Sequence, residues 1–548
     1  MNTCTDGNPA AEAHRLAEGA LGILVERLTR FGNRLGEAHR AVLRAMLQGM
    51  AEQAYGLRDG RHAYSLFCGG GKTQAVVSLI QAIHESGAGD ISMVVAASKV
   101  EALCSIYRDL RDAGLPEEEV GITHCYGFDP DQIDAAMAGQ CSREKLASVA
   151  ATDGPARRFQ LVTHARVRKG ETAVVDYATW NGAPRSLIVW DESLIAAEAH
   201  SVLLREFLSA HGAFAPFLEG AEGTLGRTLD AVRNELVSAL DSERRGAACG
   251  SLAPLVDPGD LEDLKGSVET IWRTRRRNLS DTQRDTLLRV LELASDDFRV
   301  LAVNGPDNEG LVTYDVTVPA SLQRVAILDA SFPIRRLQSL DESIRNGLPE
   351  GPPAKRYDRC TLHLLPAPAG RSATEKDFLS DRRMCRAVVS VLRERVLPGQ
   401  AALVFTFKPK GPPGGKGVLD AAEVLREEMR AAGLNPEEKV SFPRIGPDGA
   451  PRVEQRARYV FLTWGQHESI SEHQHAEHVL FCGVLHRSRI DVSATALGQR
   501  DKLGAELTHK EVQGLVDSEV AHALYQAVNR SAMRQCDGDQ AKAADIWL

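Results

Sequence analysis

Short apolar runs alternate with longer amphipathic stretches along most of the chain. "ISMVVAAS", "FQLVTHARV", "SLIVWDES" and "RVAILDASFP" are too short for helices and nearly continuous in apolar residues. Such runs read as strands buried on both faces. "YSLFC", Tyr64 to Cys68, reads the same way. "QAVVSLIQAIHESG" and "KVEALCSIYRDLRDAG" instead space their apolar residues at helical intervals and stop at Gly87 and Gly114. Residues 1–60 read as helical. Strands alternating with helices predict a parallel sheet with both faces covered.

The pattern shifts twice. From Glu198 to about Asp297 it reads as mostly helical, an insert within the first α/β unit, followed by a hairpin in "FRVLAVNGPDNEGLVTYDVTV". The Pro/Gly-rich "NGLPEGPPAKRYD" marks a linker at residues 346–357. Beyond it "TLHLLPAP", "AALVFTF", "YVFLTW" and "EHVLFCGV" are strands of a second α/β unit, which ends in helix up to "DIWL". The expected organisation is an N-terminal helical extension (1–35), a first domain (36–345) carrying the insert at about 198–297, the linker, and a second domain (358–548).

Composition narrows the class. Apolar residues make up 43% and charged residues 25%, as in a globular protein with a sizeable core. No apolar run reaches the roughly 18 residues of a membrane span. The start lacks a basic segment followed by an apolar one, so no secretory signal is read and a cytoplasmic location is expected. Ten cysteines are scattered without a CxxC pair, which suits reduced thiols. The net charge of -9 leaves room only for a local basic groove if the partner is nucleic acid.

The candidate chemistry begins at "SLFCGGGKTQ". A strand, a glycine turn and a helix form the context of a phosphate-binding loop. Gly69, Gly70 and Gly71 let backbone N–H groups wrap phosphates, and the helix N-terminus adds its dipole. Lys72 would neutralise the β/γ-phosphates and Thr73 would hold Mg²⁺. The strict pattern has Leu66 at its first position, while Gly69-x-Gly71-Lys72-Thr73 is intact. A second signal is the apolar strand ending in Asp191-Glu192. Asp191 would hold Mg²⁺ and Glu192 would act as general base on an attacking water. Together the two motifs point to hydrolysis of ATP or GTP.

With two α/β lobes in view, the motif order resembles that of a superfamily 2 helicase-type ATPase, which implies two tandem RecA-like parallel-sheet domains. "VVAASKVEAL", "VTHARV", "LDASFP" (Asp329-Ala330-Ser331), "ALVFTF", "TWGQHESISEHQHAEHVLFCG" and "YQAVNRSAMR" resemble its successive motifs. The resemblance implies ATP and Mg²⁺ as cofactors, with the nucleotide between the lobes. It implies Gln526, Arg530 and Arg534 reaching it from the second lobe, the arginines as fingers on the γ-phosphoryl group. Thr163, His164, Arg166 and Thr463 would lie near a DNA or RNA strand. Arg530 and Arg534 are four apart and are expected on one helix face. His39 or Gln48 would serve as the upstream reader of the base.

Other conspicuous residues carry less. His467, His473, His475 and His478 crowd one segment, but zinc sites usually draw on cysteine as well, and a polar loop is the expectation. Cys104, Cys125 and Cys141 lack the fourth ligand of an iron–sulfur cluster. Of two basic runs, "RRFQLVTHARVRK" is the better phosphate candidate, and "WRTRRRN" reads as a solvated face. The function expected is a nucleic-acid-dependent NTPase that translocates on, unwinds or remodels DNA or RNA. The alternative is a nucleotide-gated switch whose helical insert docks a protein partner.

Overall fold

The computed structural model describes residues 8–124, 156–218, 223–243, 251–252, 254–302, 309–351, 354–365, 367, 370–409, 420–445, 450–465 and 472–548. His467, Cys125 and Cys141 lie outside them.

The first lobe is built on a seven-stranded sheet in the order Ile344–Asn346, Arg61–Ala63, Val325–Leu328, Leu187–Asp191, Met93–Ala97, Phe159–Thr163, Val120–Thr123. Every pairing in it is parallel. The central strands are apolar throughout because both faces are covered. Met93, Val95 and Ala97 face the helices Pro9–Arg30, Glu37–Ala54, Lys72–Glu85 and Val100–Asp112. Val94 and Ala96 pack on the other side with Trp190, Leu194 and Leu322. The helix Pro9–Arg30 is thus part of the first core.

The second lobe has a five-stranded parallel sheet in the order Cys360–His363, Ala544–Trp547, His478–Phe481, Ala402–Thr406, Tyr459–Thr463. "DIWL" therefore closes the chain as an inner strand of this sheet. The fold class expected from the sequence, two tandem parallel-sheet α/β lobes, is the one observed.

The insert differs from the helical reading. It opens with a strand, Ala197–Leu203, which pairs antiparallel with Glu309–Val316, and that strand pairs with Phe298–Ala302. Helices Leu204–Phe214, Gly223–Glu243, Leu261–Thr274 and Asp281–Ser295 pack on this sheet around Phe207, Phe214, Leu287 and Phe298. The expected hairpin is present, but as part of the insert's own sheet.

The lobes are joined directly. Arg34–Leu35 pairs in parallel with Asp537–Gly538. The second-lobe helix Arg489–Gln499 packs on the insert sheet, burying Ile490, Val492, Ala496 and Leu497 against Ile195, Leu301 and Val312. No helix among the described residues is long and apolar enough to cross a membrane.

Candidate nucleotide site between the lobes

The ladder before the glycine turn ends at Ala63, ahead of the expected "YSLFC" strand. Tyr64 N still donates to the Ile327 carbonyl at 2.7 Å. Beyond it the carbonyls of Leu66 and Phe67 turn to Lys72, whose Nζ donates to them at 2.8 and 3.3 Å. Gly69 and Gly71 sit at φ +82° and +96°, a region that strains any residue with a Cβ. At Gly69 space forbids one too. A Cβ on Gly69 would lie 2.4 Å from the Arg534 carbonyl oxygen, and one on Gly71 would lie 3.0 Å from Leu28 Cδ1. Gly71 caps the helix Lys72–Glu85, and Thr73 follows in its first turn. His39 Nε2 donates to the Gly70 carbonyl at 2.8 Å. Gln48 instead pairs with His14 and Glu52, within the N-terminal helices.

Asp191 ends the strand Leu187–Asp191, next but one to Arg61–Ala63 across Val325–Leu328, and Glu192 turns the chain at φ +77°. Left-handed backbone at a non-glycine residue costs on the order of 1–3 kcal/mol and concentrates at functional sites. Burial, then the charge of Glu192, pushes the Asp191 carboxyl up to about 7, against the pull of Lys72 and Arg534. Burial likewise lowers the Lys72 ammonium and the Arg534 guanidinium, each of which feels the Asp191 charge. Two cations from different lobes thus converge on one carboxylate. A Thr hydroxyl and a carboxylate are oxygen donors of the kind Mg²⁺ takes, and the Cβ-free turn fits a phosphate chain.

The C-terminal motif departs from the single helix face expected. The helix His509–Val528 stops before either arginine. Asn529 closes it, its Nδ2 donating to the Tyr525 carbonyl at 2.8 Å. Arg534 lies in the following 3₁₀ turn, Ala532–Arg534, and packs on Gly69. Arg530 Nη2 reaches Gln526 Oε1 at 3.4 Å, and the Cys68 thiol reaches the same oxygen at 3.7 Å. Gln526 and Arg534 therefore meet the glycine turn, and Arg530 bonds Gln526.

The residues expected along a nucleic-acid strand divide. Thr163 and Thr463 end strands of the two parallel sheets, each half-buried. His164 is stacked on Trp190, with centroids 4.1 Å apart and rings 6° from parallel, and its Nε2 donates to the Ala96 carbonyl. Burial, then Arg168, pushes this imidazole down to about 3. It is neutral and supports the Asp191 strand end, so it brings no charge to a phosphate. Arg166 donates to the His124 carbonyl at 3.1 Å and to the Tyr177 hydroxyl at 3.4 Å. The second basic run stays on the surface: Arg273 pairs with Glu269, and Arg276 lies over the Trp272 ring. His475 and His478 bond the Ala457 carbonyl and Gln400, and no metal-type cluster occurs among the described residues.

A cross-lobe network was not foreseen. Ser193 Oγ and Ser331 Oγ each donate to the Asp329 carboxylate at 2.6 Å. With its proton committed there, Ser331 Oγ accepts from His522 Nδ1 at 2.7 Å. One turn earlier, Glu519 accepts a two-pronged bond from Arg335 at 2.7 and 2.8 Å and a further one from Arg487. Desolvation would raise the Glu519 carboxyl, but these arginines win and hold it at about 2. Lys355 of the linker, also unforeseen, is 5% exposed, lies over Phe67 and Tyr357, and donates to the Cys68 carbonyl. A signal for the network existed: Glu519, His522 and Gln526 form a polar stripe at helical spacing.

Fold and site together define a two-lobed α/β chain with a glycine turn at the lobe interface. No protein-family model and no curated protein matches the chain. Solved structures that it resembles are helicases. A chain described as XPD helicase is 12% identical, with 94% of this chain and 95% of that chain covered, at a TM-score of 0.46. Xpd4 of S. tokodaii is 13% identical over 92% of this chain and 94% of that one, at 0.40. S. cerevisiae Dbp5 bound to RNA and ADP BeF3 is 9% identical over 96% and 94%, at 0.34. These are loose, whole-chain likenesses; the case for the site is the geometry of its own residues.

Proposed function

We propose that the protein is an ATP-hydrolysing enzyme of helicase type, whose turnover is stimulated by DNA or RNA. The observation that carries this reading is the packing of Arg534, from the C-terminal segment, on Gly69 of the glycine turn, with its charge acting on Asp191. A composite site of this kind couples nucleotide state to lobe closure.

In this reading Gly69, Gly70, Gly71 and Lys72 hold the triphosphate, and Thr73 and Asp191 hold Mg²⁺, which supplies charge neutralisation when bound. Glu192 orients and deprotonates the attacking water. Arg534 is the finger, and Gln526, bonded to Arg530, meets the turn at Cys68. His39 and Lys355 fix the outer carbonyls of the turn. Thr163 and Thr463, at strand ends, stay as candidate contacts to the nucleic acid.

The test is steady-state ATP hydrolysis with and without single-stranded DNA or RNA. Turnover is expected to rise on adding the strand, and Lys72→Ala is expected to abolish it while the melting temperature is retained. Undiminished turnover in that variant removes the assignment of the glycine turn. Hydrolysis without strand displacement on a tailed duplex favours the nucleotide-gated switch.

A further inference from the structure

A cavity of about 420 Å³ opens in the second lobe, beside the start of the outer strand Tyr459–Thr463. Thr463 is at the far end of that strand, so the cavity is apart from the strand ends discussed above. Its volume falls in the range of roughly 300–1,000 Å³ typical of small-molecule sites. Four flat rings line it: Tyr459 and Phe461 of the outer strand, and His473 and His475 from the stretch before the strand His478–Phe481. Arg426, on the helix Ala421–Ala431, lies over the Phe461 ring at 4.7 Å. Arg456, the other lining guanidinium, comes from the strand Pro451–Ala457.

Two polar atoms of lining residues are buried without a partner among the described residues: the Tyr459 hydroxyl and His475 Nδ1. The two residues are 3% and 5% exposed. Each atom has a definite role. His475 Nε2 donates to the Ala457 carbonyl at 2.9 Å, so Nδ1 of the neutral ring is an acceptor. Burial raises the Tyr459 hydroxyl above its ordinary value, so it keeps its proton and can donate. Leaving a buried donor or acceptor unpaired is costly, and two of them on one cavity ask for a molecule that answers both. The charges are already answered. Arg426 pairs with Glu423, Arg456 with Glu454, and the exposed Glu437 with Arg430. Burial, then His475, pushes His473 down to about 4, so it adds no charge. The occupant that suits this lining is uncharged and flat, with one donor and one acceptor.

We propose that the cavity binds an uncharged planar heteroaromatic molecule bearing a lactam, the ring chemistry of oxopurine and pyrimidine nucleosides and of pteridines. The lactam N–H donates to His475 Nδ1, and its carbonyl accepts from the Tyr459 hydroxyl. The proposal goes beyond the nucleotide reading above and does not rest on it.

The test is isothermal titration of the full chain with inosine, in excess ADP, which keeps the probe off the glycine turn. Saturable binding of inosine is expected. 1-Methylinosine, in which a methyl group replaces the lactam hydrogen, is expected to bind about tenfold more weakly. Tyr459→Phe is expected to weaken inosine binding about fivefold or more. Its melting temperature should equal or exceed that of the wild type, because the hydroxyl it loses has no partner among the described residues. A lowered melting temperature would give that hydroxyl a bond within the protein and overturn the proposal. No binding of inosine, uridine or lumazine would also overturn it, leaving ordered water to satisfy the two atoms. So would equal affinity for inosine and 1-methylinosine, unchanged affinity in Tyr459→Phe, or binding seen only without ADP. Displacement of inosine by an equimolar single-stranded oligonucleotide would make the cavity part of a nucleic-acid path and overturn it as well. A chain without ATP hydrolysis would bring down the reading above and leave this site standing.

Discussion

At Gly69 the two lobes are so close that a methyl group has no room. Its φ of +82° and the Arg534 carbonyl oxygen 2.4 Å from its Cβ position act in the same direction. An alanine there pays roughly 1–2 kcal/mol for left-handed backbone before any contact is counted. The clash is with backbone of the other lobe, so the cost falls on closure. Gly69→Ala is therefore expected to lower ATP turnover by about tenfold or more, the equivalent of about 1.4 kcal/mol. Parallel melting curves check that the fold survives; turnover equal to wild type would mean that the close approach plays no part in catalysis. Much at this scale was legible in the sequence. Glycines before Lys-Thr and carboxylates after an apolar strand stand out in the sequence by their local pattern. Arg530 and Arg534 did not, because their spacing suits one helix, whereas the helix closes at Asn529, whose side chain bonds back to Tyr525, and a 3₁₀ turn follows. Lys355 sits in a Pro/Gly-rich stretch, where composition says linker and nothing says burial.

Among the elements, the helix Arg489–Gln499 is the joint between the second lobe and the insert. Its sequence, "RIDVSATALGQ", is small and nearly all buried, which lets it approach the sheet closely. A Cβ on Gly498 would lie 2.4 Å from Ala197 Cβ, and one on Gly310 across the joint would lie 2.1 Å from the Val202 carbonyl oxygen. Gly498→Ala sets two effects against each other. Helix propensity favours alanine by about 1 kcal/mol, while overpacking costs about 1–3 kcal/mol. The close contact should win, and denaturant unfolding is expected to show a lower midpoint; a raised midpoint would mean that the joint is loose. Most strands of the two parallel sheets could be read from the chain because burial on both faces leaves an unbroken apolar run; the short strands Arg61–Ala63 and Ile344–Asn346 and the last one, Ala544–Trp547, were not. The insert's first strand, "AEAHSVL", could not. It mixes buried with half-exposed positions, and its partner strand lies more than a hundred residues further on, at Glu309–Val316.

For the whole molecule, the contacts across the lobes form one system. The helix His509–Val528 carries Glu519 to Arg335, His522 to Ser331 and Gln526 to Cys68. Asp329, one step behind Ser331, bonds Ser193 beside the Asp191-Glu192 turn. Glu519 is buried and its two arginines hold its carboxyl at about 2; removing a partner from such a buried pair costs about 3–5 kcal/mol. The same helix thus ties the lobes at Glu519 and meets the glycine turn at Gln526. In the proposed function the hydrolytic site is complete only when Arg534 of the second lobe meets the turn of the first. Steady-state ATP hydrolysis by Arg534→Ala, with nucleotide affinity measured separately, tests it most directly. A kcat lower by on the order of 10³-fold with nucleotide affinity nearly unchanged is expected; turnover within a few-fold of wild type would show that Arg534 is not the finger.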